Sequence, residues 1–345
     1  MINLRCAVPN SQMSKFVMSS QDEGVHIPSQ DTNYNESVYT NGFDPASRVG
    51  GWMRLGNRVH EGYAELSVCL YLPDGGIACQ FQRPRIRAND SFAAGGMEYN
   101  VIEPLRAASM CYEGEIFVLD DPEMLRDPKQ LFADAPQHAC RIYFELSSLS
   151  PIHGGEPASA GQATMYGRDF SLGHFYQHMR TSGTIRIGEN EWKIDGLGWR
   201  DHSWGPRYWT NINYYRLFIA NFGPDRGITV LKITDRDGTT RRTGVIHIDG
   251  QLEEITDIDL ITEWTAEKDP RSMRMTLRTA RRAAVLEGEV ITLAPLRNRR
   301  KVGDEMLLTR IAEGFTQWRW DERTGLGVSE YIERIEDGQP VGFPQ

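Results

Sequence analysis

Between Gly196 and Trp209 the chain reads GLGWRDHSWGPRYW, which puts two arginines, an aspartate, a histidine and three tryptophans into fourteen residues. An aspartate beside an imidazole is raw material for proton transfer. Burial raises a carboxyl pKa and keeps its proton on, while a neighbouring cation lowers it, so Asp201 between Arg200 and His202 is open to tuning in either direction. Aromatic rings stabilise a positive centre through their π faces, and Trp199, Trp204, Trp209, Tyr208, Tyr214 and Tyr215 supply such faces. Together these parts suit moving a proton on or off an apolar carbon skeleton, hydration of a carbon–carbon double bond being one such reaction. Asp201 delivers a proton to carbon, the rings shelter the carbocation, and His202 or a second acid takes the proton of the adding water. The same parts run a dehydration, an isomerisation or a cyclisation. A plainer reading stands beside this one. In strand geometry Arg200 and His202 point one way and Asp201 and Ser203 the other. Asp201 then merely pairs with an arginine at a junction, and Trp204 and Trp209 are core.

The elements that would carry these residues read as strands. Glu65–Leu72 alternates, meets the turn Pro73-Asp-Gly-Gly76, and resumes at Ala78–Gln82, which is a hairpin pattern. Thr184–Ile194, Ile228–Asp235 and Gly244–Gly250 carry similar signals. The best short helix is Asp121–Arg126, with proline near its start. Gly205-Pro206 turns the chain out of its strand.

The chain also echoes itself. Phe43-Asp-Pro45 returns as Phe222-Gly-Pro224, Asp74-Gly75 as Asp249-Gly250, Arg106-Ala-Ala108 as Arg282-Ala-Ala284, and Glu113-Gly-Glu115 as Glu287-Gly-Glu289, at offsets of 174 to 179. Gly196-Leu-Gly198 returns as Gly325-Leu-Gly327 at an offset of 129. These echoes predict a duplicated β unit whose first copy carries about 45 extra residues. The segment from about 120 to 173 is read as one long connection holding them. Laying Gly196-Leu-Gly198 over Gly325-Leu-Gly327 lays Asp201 over Glu330, so each half ends in a strand with a carboxylate at one position. The expected division is a loose N-terminal arm over 1–32, a first β domain over 33–205 and a second over 206–345.

The segment Trp199–Gly205 resembles the W-x-D-H-x-W-G signature of lipocalin-like proteins related to carotenoid hydratase (hydroxyneurosporene synthase) and the AttH-like family. It is most similar to a bacterial branch with Arg-Asp-His-Ser-Trp-Gly-Pro-Arg, which also shares Gly50–Gly56 and the late Gly325–Tyr331. The resemblance spans most of residues 35 to 335. It implies two consecutive lipocalin-like antiparallel β-barrels with few short helices, and chemistry on an apolar, terpenoid-like molecule, with hydration of a carbon–carbon double bond as the best-known activity of the resembled family.

Composition excludes other classes. The chain has 345 residues, 40 % hydrophobic, with a net charge of −9, which argues against binding the phosphate backbone of nucleic acid. Five cysteines without CxxC spacing suggest free thiols rather than disulfides or a zinc site. No stretch is apolar enough to span a bilayer and the N-terminus lacks a signal-peptide core, so a cytoplasmic protein is expected. GxGxxG, P-loop, GxSxG and zincin motifs are absent, so no cofactor is expected. His174 and His178 have H-x-x-x-H spacing, but in a strand their rings stand roughly 13 Å apart, too far for one metal ion. Glu36 and Tyr39 are further pocket candidates, whereas Glu98 and Glu103 read as surface charges, and Trp318 and Trp320 as sheet packing.

The sequence thus predicts a cofactor-independent acid–base enzyme on a hydrophobic small molecule, a hydratase, dehydratase, isomerase or cyclase, with a non-catalytic carrier of an apolar ligand as the alternative. The expected catalytic residues are Asp201 as acid and His202 or Glu330 as base or relay. Trp199, Trp204, Tyr39 and Tyr331 are expected to contact the substrate. Arg200, Gln177 and Arg207 are its expected polar contacts, Gln177 because the resembled branch carries glutamine there. A homodimer is left open.

Overall fold

A computed structural model describes residues 15–302 and 304–344. Sixteen strands form two rings. The first ring contains β1 (Tyr34–Asp44), β2 (Val49–Arg58), β3 (Tyr63–Tyr71), β4 (Ile77–Gln82), β5 (Ala107–Leu119), β6 (Gln137–Ser148), β7 (Gly173–Ile187) and β8 (Asn190–Pro206). Every pairing is antiparallel, and β6 closes the circle by pairing with both β5 and β7. The second ring contains β9 (Ile212–Asn221), β10 (Arg226–Asp235), β11 (Thr240–Ile248), β12 (Gln251–Trp264), β13 (Pro270–Thr279), β14 (Ala283–Val302), β15 (Glu305–Trp320) and β16 (Arg323–Glu336), closed by β9 against β16.

Alternation explains why these segments close on themselves. In β6, Cys140, Ile142, Phe144 and Leu146 point inward and the residues between them are mostly exposed. They meet Met53 and Leu55 of β2 and Leu66, Val68 and Leu70 of β3 in the first barrel core. Phe218, Val230, Met275, Leu286, Trp318 and Tyr331 fill the second. The barrels pack through their outer faces. Phe43 stacks on Phe315 with centroids 5.0 Å apart, the Trp199 indole donates to Thr229 Oγ1 at 2.9 Å, and Asn221 Nδ2 donates to the Gly198 carbonyl at 3.0 Å.

The repeat is real at most of its echoes. The Phe43 and Phe222 motifs turn the first strand of each ring into the second, and Asp74-Gly75 and Asp249-Gly250 both turn the third into the fourth. Gly196-Leu-Gly198 and Gly325-Leu-Gly327 lie at matching places in the eighth strands, where each glycine lets a neighbouring backbone approach. An added methyl would overlap the Asn41 carbonyl at Gly198 and the Ile219 carbonyl at Gly327. The Arg106 and Arg282 echo is different. It compares the fifth strand of one ring with the sixth of the other, so that match and the Glu113 match reflect strand composition rather than common position. The extra residues of the first ring are accordingly dispersed, and 120–173 is not one connection. It contains the closing strand β6, a 3-10 turn (Pro122–Arg126) and a helix α1 (Pro128–Asp134) capped by Asp127.

The described part of the N-terminal arm is not loose. Phe16–Val17 pairs with His153–Pro157, and Glu23 is only 2 % exposed. Cys69, Cys79, Cys111 and Cys140 are free thiols, and Cys6 lies outside the described residues. Among the described residues no helix is long and apolar enough to cross a membrane.

Candidate active site

A cavity of about 820 Å³ opens between the two barrels. Its polar floor follows from strand register. Asp201 on β8 lies opposite Tyr39 on β1, which lies opposite Arg54 on β2, and cross-strand partners share a face. In the second barrel Glu313 on β15 lies opposite Glu330 on β16, which lies opposite Leu217 on β9. Both rows lie on outer barrel faces, and all six side chains line the cavity. Trp199, Tyr215, Trp209 and Phe170 add aromatic walls.

Three carboxyls at this junction are held toward their protonated forms. Burial pushes Asp201 up to about 7, against the pull of Arg207 and Arg54, and the charge of Glu330 adds to the rise. Burial also raises Glu330, with Glu313 and Arg54 opposing it. Glu313 rises further, from burial, from the charge of Glu330 and from their side-chain hydrogen bond. Two facing carboxyls in a dry site cannot both ionise cheaply, so the pair holds a proton as a unit. Glu313 Oε2 has no hydrogen-bond partner. His174 Nε2 lies 3.8 Å from Asp201 and 3.1 Å from the Tyr166 hydroxyl. Burial, then the charge of Arg207, drive its pKa well down, so it is a neutral imidazole.

The structure separates the expected site residues by strand parity. Asp201, Glu330, Tyr39, Trp199 and Arg207 line the cavity. Arg200, His202 and Trp204 point to the opposite side of β8. Arg200 pairs with Glu23, with Nη2–Oε1 at 2.7 Å, and also donates to Gln177 and the Tyr99 hydroxyl. Gln177 in turn donates to the carbonyls of Leu105 and Ser150. His202, expected as a relay, contacts Glu36 at 2.9 Å instead, because its odd-numbered neighbours own the cavity face. Trp204 stacks on His26 and donates to Glu156. Tyr331 packs inside the second barrel, bonded to Thr262 and under Arg216. His178 bonds Asn221 and Thr229, away from His174.

His26, Glu36 and His202 bring their ligand-type atoms within 4.8 Å of one another, the one such group among the described residues. As arranged it is a hydrogen-bonded hub. Both Glu36 oxygens already accept bonds, from the two imidazoles, Tyr34, Asn89 and the His26 backbone. Despite burial, the bonds from His202 and His26 hold Glu36 down at about 2.

Sequence reasoning missed Glu313, Arg54 and His174. Glu313 was within reach of counting: it and Glu330 both lie eight positions from the two-residue turn at Asp321-Glu322. Arg54 lies inside the Gly50–Gly56 segment and His174 draws notice only as a metal ligand, and neither spacing points to Asp201.

A family model described as a domain of unknown function (DUF7064) matches residues 19–335. No curated protein matches the chain by sequence. Solved structures do resemble it. A Nitrosomonas europaea protein assigned as AttH aligns at TM-score 0.57 and 14 % identity, over 95 % of this chain and 98 % of that one. Kievitone hydratase from Nectria haematococca aligns at 0.54 and 9 %, over 93 % and 96 %. CghA with Sch210972 aligns at 0.54 and 9 %, over 94 % and 98 %. At these identities the likeness establishes the fold.

Proposed function

We propose, for a chain that belongs to the DUF7064 family, that the inter-barrel cavity is the active site of an acid–base enzyme acting on a hydrophobic, terpenoid-like or polycyclic small molecule. The observation that carries this reading is Asp201, a carboxyl tuned to about 7 and facing an aromatic-lined cavity. A general acid works best when its pKa is near the operating pH. The cavity volume lies in the range that takes single small ligands. The fold shared with a protein named as a hydratase, and with one solved with a small molecule, supports the same class.

In the hydration form, the alkene π pair takes the Asp201 proton and leaves a carbocation and an Asp201 carboxylate. Aromatic faces stabilise the cation. Water adds through oxygen, its proton passes to the Glu313–Glu330 pair in its singly ionised state, and exchange with solvent removes that proton from the pair and returns one to Asp201. His174, bonded to Tyr166, flanks the Asp201 carboxyl at 3.8 Å. Omitting the water and removing a neighbouring C–H proton instead gives isomerisation, and intramolecular trapping of the cation gives cyclisation. None of these routes needs a cofactor. Residues 33–205 and 206–345 act as two lipocalin-like units, each lending one acidic strand.

The test is mass spectrometry of the protein and its Asp201→Asn variant, incubated with a terpenoid and steroid extract in heavy-oxygen water. A product made by the wild type alone supports the reading, and label in it identifies water addition. An apolar molecule retained unchanged by both proteins would replace it with a carrier function.

A further inference from the structure

Arg207 is a buried cation without an anion. It is 7 % exposed and lines the cavity. Its guanidinium lies over the Phe170 ring, 4.3 Å from the centroid. Nη2 donates to the Ser203 hydroxyl at 2.8 Å, and Nε has no hydrogen-bond partner. Among the described residues no carboxylate forms an ion pair with it. The buried arginines elsewhere differ: Arg200 pairs with Glu23, Arg310 with Glu333 and Asp269, and Arg58 with Glu61. Desolvating a guanidinium with one neutral bond is costly unless something else supplies the charge. Asp201 and Glu65 act on it only through space, without an ion pair, and burial holds Asp201 and Glu313 toward their protonated forms. Burial, helped by Arg54, lowers Arg207 to about 10, so it remains charged at neutral pH.

We propose that Arg207 is an anion-binding residue and that the ligand of this cavity is an apolar molecule bearing an oxyanion, a carboxylate in the first instance, which the guanidinium receives through its free N–H edge. This rests on the cavity being the substrate site and adds the class of substrate. A planar guanidinium matches a carboxylate with two parallel bonds, and its Phe170 seat fixes the plane of that fork. The arrangement also serves the acid. An anion held at Arg207 cancels the charge that pulls Asp201 down, so a correctly bound substrate keeps Asp201 protonated.

The experiment measures binding rather than turnover. Fluorescence titration compares 11-(dansylamino)undecanoic acid with its carboxamide on the wild type, R207Q, R207K and D201N, with thermal melting as the check on folding. The wild type is expected to favour the acid by about tenfold or more, R207Q to fall to within about threefold, R207K to keep part of the preference, and D201N, which loses a carboxyl that competes for Arg207, to keep or strengthen it. Should R207Q fail to fold, the loss in R207K carries the test. Equal affinity of the wild type for acid and carboxamide, no binding of the acid, or a preference untouched by substitution at Arg207 overturns the proposal. A preserved preference with no product in the labelled-water experiment would instead overturn the proton-transfer reading alone.

Discussion

Asp201 and Glu330 occupy one position in two copies of a strand. Each lies three residues beyond the last glycine of a Gly-Leu-Gly, in the eighth strand of its ring, and each faces the same cavity. Duplication therefore produced facing acids once the barrels packed outer face to outer face. Neither is ordinarily acidic there: burial raises both, and the charge of Glu330 adds to the rise of Asp201.

The pH dependence of turnover follows from Asp201. As a general acid raised to about 7, it should make kcat/KM fall as pH rises above about 7, by tenfold per pH unit. Asp201→Asn should lower kcat by about 10²-fold or more. A profile flat from pH 6 to 9 on the reaction found by product screening would remove Asp201 from that role.

Stability should fall with rising pH too, but over a lower range. The folded chain holds the Asp201 proton more tightly than the unfolded chain does, so this residue costs stability as pH rises from about 4 to about 7. The full cost is about 4 kcal/mol, reduced by the 18 % exposure of the side chain. Asp201→Asn should match the wild type in melting temperature at pH 4 and exceed it at pH 8. A variant that melts lower at pH 8 would instead favour Asp201 as structural glue.

Its neighbour Arg200 should behave oppositely. Arg200→Gln strands Glu23 in the barrel wall and should cost about 3–5 kcal/mol in urea unfolding. Binding of apolar ligand by the surviving folded fraction should be unchanged, because Arg200 is on the far side of β8. Lost binding at full stability would contradict that placement.

Glu36 governs the acid limb. Its pKa is lowered to about 2, so it contributes stability above its ordinary value of 4.5 that is lost as pH falls through about 2. Glu36→Gln should cost about 3 kcal/mol or more at pH 7 by leaving two histidines without their carboxylate, with the gap to wild type narrowing toward pH 2. Chemical denaturation at both pH values reads this directly.

The two close-approach glycines should be equally intolerant. Gly198→Ala and Gly327→Ala each drive a methyl into the carbonyl of the paired strand, and each should cost roughly 3 kcal/mol or more. Soluble variants that melt like the wild type would mean that the eighth and first strands of the rings are less tightly apposed.

Local chemistry made much of this protein readable in advance. Period-two alternation marked the strands, turn residues marked the hairpins, and the repeated Gly-Leu-Gly aligned Asp201 with Glu330. Alternation also carried the warning that Asp201 and His202 cannot share a face, and the barrel wall obeys it: one side of β8 holds the Arg200 and His202 networks, the other the cavity. What lay outside the sequence were the events that join distant segments. Ring closure by β6 sits inside a stretch whose Pro, Asp and Gly content reads as loop; Gln137–Ser148 itself alternates, but that it closes a ring depends on the strands waiting on both sides. The contact of Asp201 with His174 and the alignment of Arg54 with Tyr39 depend on strand register within the first barrel, and the enclosure of Arg207 depends on how the second barrel covers that outer face. Residue types and spacing determined which groups could do chemistry; burial between the barrels decided which of them hold a proton near neutral pH, because that depends on the water the fold excludes.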